Sequence, residues 1–364
     1  MKLTNQDFLL RWGWNNYFEQ QVLEVNSDMT SWVLGRVSGE ERDRWRVQIS
    51  DSQNVWAELP GRYRFQTHSR MELPSVGDWV LCKYEETQNV ALVEKVLARK
   101  SCMYRAAVGG NDAQILASNI DYAFILTSAN IDFNIARLER YLSLVWDSGA
   151  IPVILITKAE LAKNIDALAE ELSSEIVGVD IHAVSVQESI NMQVLEKYFQ
   201  PGKSVVFVGS SGVGKSTLTN YLLQKEVLET QEIRKGDDRG KHTTTARHLF
   251  FLENGAIVID TPGMRSLPMM DQDAGVEAQF SDLVELEIQC RFADCAHRTE
   301  PGCAVLGALE SGILDEDRWK RYQKLRRELQ RKEINEDPVK LRLEREKMKK
   351  RTKTMYEHIK MKRR

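Results

Sequence analysis

Gly209-Ser210-Ser211-Gly212-Val213-Gly214-Lys215-Ser216, with Thr217 behind it, is the stretch that decides the fold. It has the form G-x-x-x-x-G-K-[ST], a phosphate loop. Residues Lys203 to Val208 (KSVVFV) before it read as a short buried strand, and Ser216 to Leu223 (STLTNYLL) after it as a helix. Strand, glycine loop and helix together are the context this motif needs. The glycines let backbone N–H groups turn inward around phosphates, and the helix N-terminus adds partial positive charge. Lys215 is then expected to reach the terminal phosphates, and the Ser216 hydroxyl to ligate Mg²⁺.

Downstream, Gly236-Asp-Asp-Arg-Gly-Lys-His-Thr-Thr-Thr245 is polar and glycine-bearing, as a switch loop is. One of its threonines, with Thr244 the central candidate, is expected to give a second hydroxyl to Mg²⁺. Ala256 to Ile259 reads as a strand ending in Asp260-Thr-Pro-Gly263. Asp260 at that strand end suits Mg²⁺ held through water, and the Gly263 N–H suits the γ-phosphate. These pieces describe a nucleoside-triphosphate hydrolase.

Choice of base must come from elsewhere. No N-K-x-D tetrapeptide follows the phosphate loop. Before it, the strand Ile151–Ile156 ends in Thr157-Lys158-Ala159-Glu160. The lysine stem suits the face of a base, and the Glu160 carboxylate suits the paired N–H donors of a guanine edge. Val184-Ser185-Val186 falls where a second base-contacting loop is needed, with Ser185 at its centre. Base motifs therefore precede the phosphate loop, threonines and D-x-x-G, a circular permutation of the usual GTPase order. Tyr122–Thr127, a helix over Arg137–Asp147 closed by Gly149, Ile151–Thr157, a helical run through Glu171 and His182–Val186 alternate as strand and helix. That alternation predicts a parallel sheet covered on both faces. An ATPase stays open as an alternative, because Glu160 is longer than aspartate.

The N-terminal part has another rhythm. Residues 32–37, 44–49, 55–59, 78–84 and 90–96 alternate with period two and are separated by glycines and polar turns. Five such strands suit a small closed barrel, with an OB-fold as first choice and an SH3-like barrel as second. Arg36, Arg42, Arg44, Arg46, Arg62, Arg64 and Arg70 mix with Trp45, Tyr63, Phe65 and His68. Cations beside aromatic rings are what a nucleic-acid-binding face uses. Residues 1–31 read as an amphipathic cap, with Phe8, Leu9, Trp12 and Tyr17 on one helix face. Arg99 to Ala117 reads as a linker. The expected division is 1–31 extension, 32–99 barrel, 100–272 permuted nucleotide domain and 273–364 mostly helical metal domain with a basic tail.

Cys290-x₄-Cys295-x-His297-x₅-Cys303 offers three thiolates and one imidazole, a closed tetrahedral set for structural Zn²⁺. Cys82 and Cys102 read as core thiols. The chain of 364 residues carries five cysteines and a net charge of −3. That low, clustered cysteine usage argues for a reducing compartment. No apolar run is long enough to span a bilayer, and the opening lacks a signal-peptide core; a cytoplasmic protein without membrane partners is expected. From Arg318 to Arg364 there are 20 Lys/Arg against 7 Asp/Glu, leaving −16 for the rest. An acidic body with a basic tail points to a polyanion such as RNA. Trp319, Tyr322, Leu325 and Leu329 would form the buried face of a helix from Asp315 to about Lys332. No sustained heptads argue for an obligate dimer, so a monomer is expected.

In the order TKAE, GSSGVGKST, GKHTTT, DTPG and C-x₄-C-x-H-x₅-C, residues 32 to 330 resemble the RsgA family of circularly permuted, ribosome small subunit-dependent GTPases. The resemblance implies an OB-fold, a permuted GTPase domain and a zinc domain. It also implies GTP to GDP hydrolysis stimulated by the small ribosomal subunit and its rRNA, late in subunit assembly, with release of other assembly factors. Thr157, Lys158 and Glu160 would then bind guanine, with Ala159 between them, and Gly209 through Thr217 would bind phosphates and Mg²⁺. Met264 stands where Ras-like enzymes carry a water-positioning glutamine, and a thioether cannot orient water. His242 is the candidate in its place. Glu160 and Thr157 depart from the family's usual aspartate and asparagine. A different class also fits these residues, an RNA-binding checkpoint module whose output is nucleotide-gated binding and release.

Overall fold

The computed structural model describes residues 6–25, 32–41, 44–106, 113–129, 133–224, 247–260, 273–336 and 342. The chain divides into two compact units, Met1–Pro268 and Met269–Arg364.

The first unit opens with two short helices, α1 (Gln6–Arg11) and α2 (Asn16–Leu23), broken at Gly13. Phe8, Leu9 and Trp12 are buried as expected, but Tyr17 is exposed, and Trp14 and Phe18 take the buried places. The break explains the correction. The second helix starts a new phase at its cap Asn15, whose side chain accepts from the Tyr17 N–H. Trp14 and Phe18 pack with Trp79, Leu81 and Leu97 of the barrel in one apolar cluster.

Five strands form that barrel: β1 (Trp32–Glu41), β2 (Arg44–Gln48), β3 (Asn54–Glu58), β4 (Trp79–Glu85) and β5 (Val90–Val96). Helix α3 (Gly61–Gln66) lies between β3 and β4. The strands run β1-β2-β3-β5-β4, and β4 closes on β1. Only β3–β5 is parallel. This closure, with a helix after the third strand, is the OB arrangement and not an SH3-like one. Alternating inward residues Trp45, Val47, Val55, Ala57, Val80, Cys82, Ala91 and Val93 fill it.

A hairpin follows, β6 (Cys102–Ala106) with β7 (Ala113–Ser118). The expected linker is therefore wrong there. A register shift between Met103 and Tyr104 breaks the period that would have marked the strands.

Next come β8 (Tyr122–Ser128), α4 (Ile135–Ser148), β9 (Ile151–Thr157), α5 (Ile165–Glu175), β10 (Asp180–Ala183), β11 (Ser204–Gly209), α6 (Lys215–Leu223), β12 (Arg247–Phe251) and β13 (Ile257–Asp260). Their order in the sheet is β10-β9-β8-β11-β13-β12, parallel except for β12. The phosphate-loop strand β11 is central, and the strands bearing the base motifs come earlier in sequence. Strand interiors such as Phe207 and Val208 or Ile154 and Leu155 are buried, so their runs are continuously apolar. Helix α4 begins on Asn134, whose side chain caps the Arg137 N–H, and stops at Gly149 with φ +80°.

Barrel and nucleotide sheet are one sheet. Strand β1 pairs with β4 from Trp32 to Arg36, then with β12 at Gly39 and Glu40. A bulge between Val37 and Gly39 marks the change. Opposite residues Glu40 and Arg247 also form an ion pair of 2.7 Å. Arg36 at this joint is 1% exposed. It donates to the carbonyls of Trp12, Gly77 and Asn119 and to Ser204 Oγ. Burial lowers its pKa to about 10, against the pull of Asp121 and Asp78. Arg36 is thus a structural clamp and no part of a nucleic-acid face, and buried Trp45 donates its Nε1–H to Pro74.

The second unit contains α7 (Asp273–Gln279), α8 (Ser281–Ile288), α9 (Ala304–Glu310) and α10 (Glu316–Glu336). Trp319, Tyr322, Leu325 and Leu329 of α10 bury against Phe280, Leu283 and Val305. The basic tail beyond residue 336, apart from Arg342, lies outside the described residues. No helix among the described residues is long and apolar enough to cross a membrane.

Candidate nucleotide and metal sites

The phosphate loop joins β11 to α6. Gly209 has φ +147°, and a Cβ there would stand 2.5 Å from the Leu126 carbonyl, so only glycine lets β11 leave the sheet so close to β8. Gly214 caps α6 with φ +96°. Val213 is buried and anchors the loop, whereas Ser211, Gly212 and Thr217 are exposed. Lys215 Nζ donates across the loop to the carbonyls of Gly209 (2.6 Å) and Ser210 (2.5 Å). Its ammonium therefore sits over the concavity where terminal phosphates belong. Ser216 stands in the first turn of α6, half-buried.

The base motif is fastened to this loop. Thr157 Oγ1 is 2.7 Å from the Val213 carbonyl and 3.0 Å from that of Thr127, and its single hydrogen serves one at a time. Lys158 takes left-handed backbone, φ +55°, and its Nζ donates to the Gly212 carbonyl at 2.9 Å. The Ala159 N–H donates to Val184, tying the motif to the loop after β10. In that loop Ser185 is buried, bridges Ile190 and accepts the Glu188 N–H on Oγ. Glu160 Oε2 is buried with no hydrogen-bond partner among the described residues. A buried acceptor without a donor is costly unless a ligand supplies one. A guanine edge, with two adjacent N–H donors, fits it; an adenine edge offers one.

Asp260 ends β13, half-buried, two strand positions short of the register of Gly209. It also pairs in register with His248 of β12. Its carboxylate and the Ser216 hydroxyl are hard oxygen donors of the kind Mg²⁺ takes. His242, Thr244 and Gly263 lie outside the described residues.

Sequence reading missed Arg137. From the first turn of α4 its Nη1 donates to Ser210 Oγ at 2.7 Å. The two are 73 positions apart, and an arginine on an amphipathic helix looks like any solvated one.

In the second unit, the ligand atoms of Cys290, Cys295, His297 and Cys303 all lie within 4.8 Å of one another. Cys290 and Cys303 sulfurs are 3.8 Å apart, and His297 Nδ1 is 3.6 and 3.4 Å from them. A tetrahedral Zn²⁺ with Zn–S bonds of ~2.3 Å requires sulfurs about 3.8 Å apart, so the set fits structural zinc. Glu287 lies 3.5 Å from His297 Nε2, the outer-shell carboxylate that orients such a histidine. With four protein donors, no position is left for substrate.

Residues 96–270 match the family described as RsgA GTPase, and residues 204–345 a family described as 50S ribosome-binding GTPase. A protein of Lactiplantibacillus plantarum named small ribosomal subunit biogenesis GTPase RsgA 2 is 41% identical over 90% of this chain and 91% of its own. A Listeria monocytogenes protein of the same name is 40% identical over 97% and 98%. Among solved structures, YjeQ from Thermotoga maritima is similar with a TM-score of 0.62 at 25% identity, covering 82% of this chain and 98% of its own. YloQ, described as a circularly permuted GTPase, gives 0.60 at 25% identity over 84% and 98%.

Proposed function

The chain belongs to the RsgA GTPase family and is a GTP hydrolase, and on that premise we propose that it works on the small ribosomal subunit, hydrolysing GTP as a late step in that subunit's maturation. One observation carries the nucleotide half. The base motif is bonded to the phosphate loop through Thr157 and Lys158, and Glu160 holds a buried acceptor beside them. The choice of subunit follows the relatives named for the small one, which match nearly the whole chain. The likeness that names the 50S begins only at the phosphate-loop strand. rRNA is the partner the basic tail suits. The protein acts as a cytoplasmic monomer and assists release of other assembly factors.

In this reading Glu160 accepts from guanine, Lys158 lies along the base, and Ala159 and Ser185 line its edge. Backbone N–H groups of Gly209 to Thr217 and the Lys215 ammonium hold the phosphates. Ser216, Thr244 and Asp260 hold Mg²⁺, which neutralises charge on the transferring phosphoryl group. Gly263 meets the γ-phosphate. His242 orients the attacking water, a task Met264 cannot do. Cosedimentation with purified small subunits tests the reading. Association with a non-hydrolysable GTP analogue and release with GDP are expected. No association in any nucleotide state would overturn the ribosomal assignment while leaving the nucleotide site intact.

A further inference from the structure

Two cations meet at Ser210 of the phosphate loop. Lys215 Nζ donates to its carbonyl at 2.5 Å, and Arg137 Nη1 donates to its Oγ at 2.7 Å. They arrive from opposite faces of the sheet, since α4 packs in one apolar cluster and α6 in the other. The topology accounts for the meeting. Strand β8 pairs with β11 through Leu126 and Gly209, so the helix that follows β8 starts beside the loop that follows β11. Asn134 fixes that start by capping the Arg137 N–H, which leaves the Arg137 side chain in the first turn. Ligands of such sheets bind at the carboxyl ends of the strands, and both cations stand there.

Arg137 has no counter-charge. It is half-buried, and Ser210 Oγ is the sole partner of its side chain among the described residues. Other inward-turned arginines of this unit are neutralised: Arg99 pairs with Asp78, and Arg247 with Glu40. A hydroxyl takes one N–H of the guanidinium and cancels none of its charge. A cation in partly desolvated surroundings attracts an anion more strongly than one in water. The planar fork of arginine also suits phosphoryl oxygens in a way a lysine point charge does not. In GTP hydrolysis the bond from the β–γ bridging oxygen to the γ-phosphorus breaks and a water oxygen bonds to that phosphorus. The electron pair stays on GDP, and the proton of the water ends on the phosphate released. Negative charge is spread over the γ-oxygens in between, and some GTPases stabilise it with an arginine supplied in cis.

We propose that Arg137 is that arginine: it leaves Ser210 and binds the γ-phosphoryl oxygens of GTP in the transition state, as a catalytic residue of this chain. The inference rests on GTP hydrolysis and not on the ribosomal reading. Its test uses the full-length protein with Mg²⁺ and no subunits, so the two can fail separately. In single-turnover hydrolysis, Arg137→Ala should lower the rate about twentyfold or more, the gap between unassisted GTPases without and with a cis arginine. GDP lacks the γ-phosphate and should bind the variant as it binds the wild type. GDP with aluminium fluoride imitates the transferring phosphoryl group, and its affinity should fall by a factor like that of the rate. Arg137→Met keeps the length of the side chain without the charge and should lose as much as Arg137→Ala. Hydrolysis at the wild-type rate in either variant would overturn the proposal. So would a GDP affinity that falls as far as the affinity for GDP–aluminium fluoride, since Arg137 would then only shape the loop through Ser210.

Discussion

The two compact units solve the same problem in opposite ways. Among its described residues, unit Met1–Pro268 has four apolar clusters, two on the faces of the parallel sheet and two in and around the barrel. Its polar site can sit at the strand ends because stability is supplied elsewhere. Among its described residues, unit Met269–Arg364 has one cluster, and two of its metal-set cysteines, Cys290 and Cys295, pack against that cluster with Cys303 inside it. Metal donors and core are there the same residues. A large core frees its site for chemistry, whereas a small one uses its site as a staple.

Metal removal should separate the units most sharply. Structural zinc contributes on the order of 10 kcal/mol or more of apparent binding energy in small domains. Chelation, or Cys303→Ser, should abolish the proteolytic protection of residues 276–329 while nucleotide binding persists. Equal loss in both units would break the comparison.

Next in size is Arg36→Leu, which strips donors from buried carbonyls at the joint of cap, barrel and nucleotide sheet. Each buried carbonyl left without its donor should cost about 1–3 kcal/mol, read as a lower urea midpoint for the first unit alone.

Changes at the site should affect binding more than folding. Glu160→Gln removes a charged acceptor, a difference of about 1.5–3 kcal/mol, so GTP preference over ATP should fall at least tenfold in competition. An undiminished preference would remove Glu160 from base selection. Thr157→Val loses the hydroxyl link to Val213, about 1 kcal/mol, and should speed release of a fluorescent GDP several-fold, with Thr157→Ser near wild type.

The smallest effect is on acid stability. Burial raises the Asp121 pKa, but Lys100, the Ser204 N–H and Lys203 outweigh it, and the net shift is downward. A carboxylate lowered in the folded state stabilises above its unfolded pKa, and that contribution fades as pH falls through the folded value. Asp121→Asn should therefore lower the melting temperature of the first unit at neutral pH and leave little difference at strongly acid pH.

The same contrast governs what was legible in the sequence. Five barrel strands, the βα alternation and the face of α10 show because period and burial coincide along one segment. Zinc ligands show through spacing alone. Strand β12 and the β6–β7 hairpin do not: β12 is short and takes one of its partners from the distant β1, and a register shift breaks the period of the hairpin. Arg36 misleads for that reason: its alternation suggests a solvated strand face, yet its partners come from residues 12, 77, 119 and 204. Arg137 is hidden because only the folded sheet brings α4 to Ser210. At TKAE the residues are legible but not their bonds, the Thr157 hydroxyl to Val213 and the Lys158 ammonium to Gly212, 56 and 54 positions away.

Phosphate release from GTP and from ATP, each with and without purified small ribosomal subunits, tests the central claim most directly. The account predicts slow GTP turnover, strong stimulation by the subunit, inert ATP, and loss of the stimulated rate in His242→Ala with GTP binding retained. Hydrolysis indifferent to the subunit, or ATP turned over as readily as GTP, would contradict it.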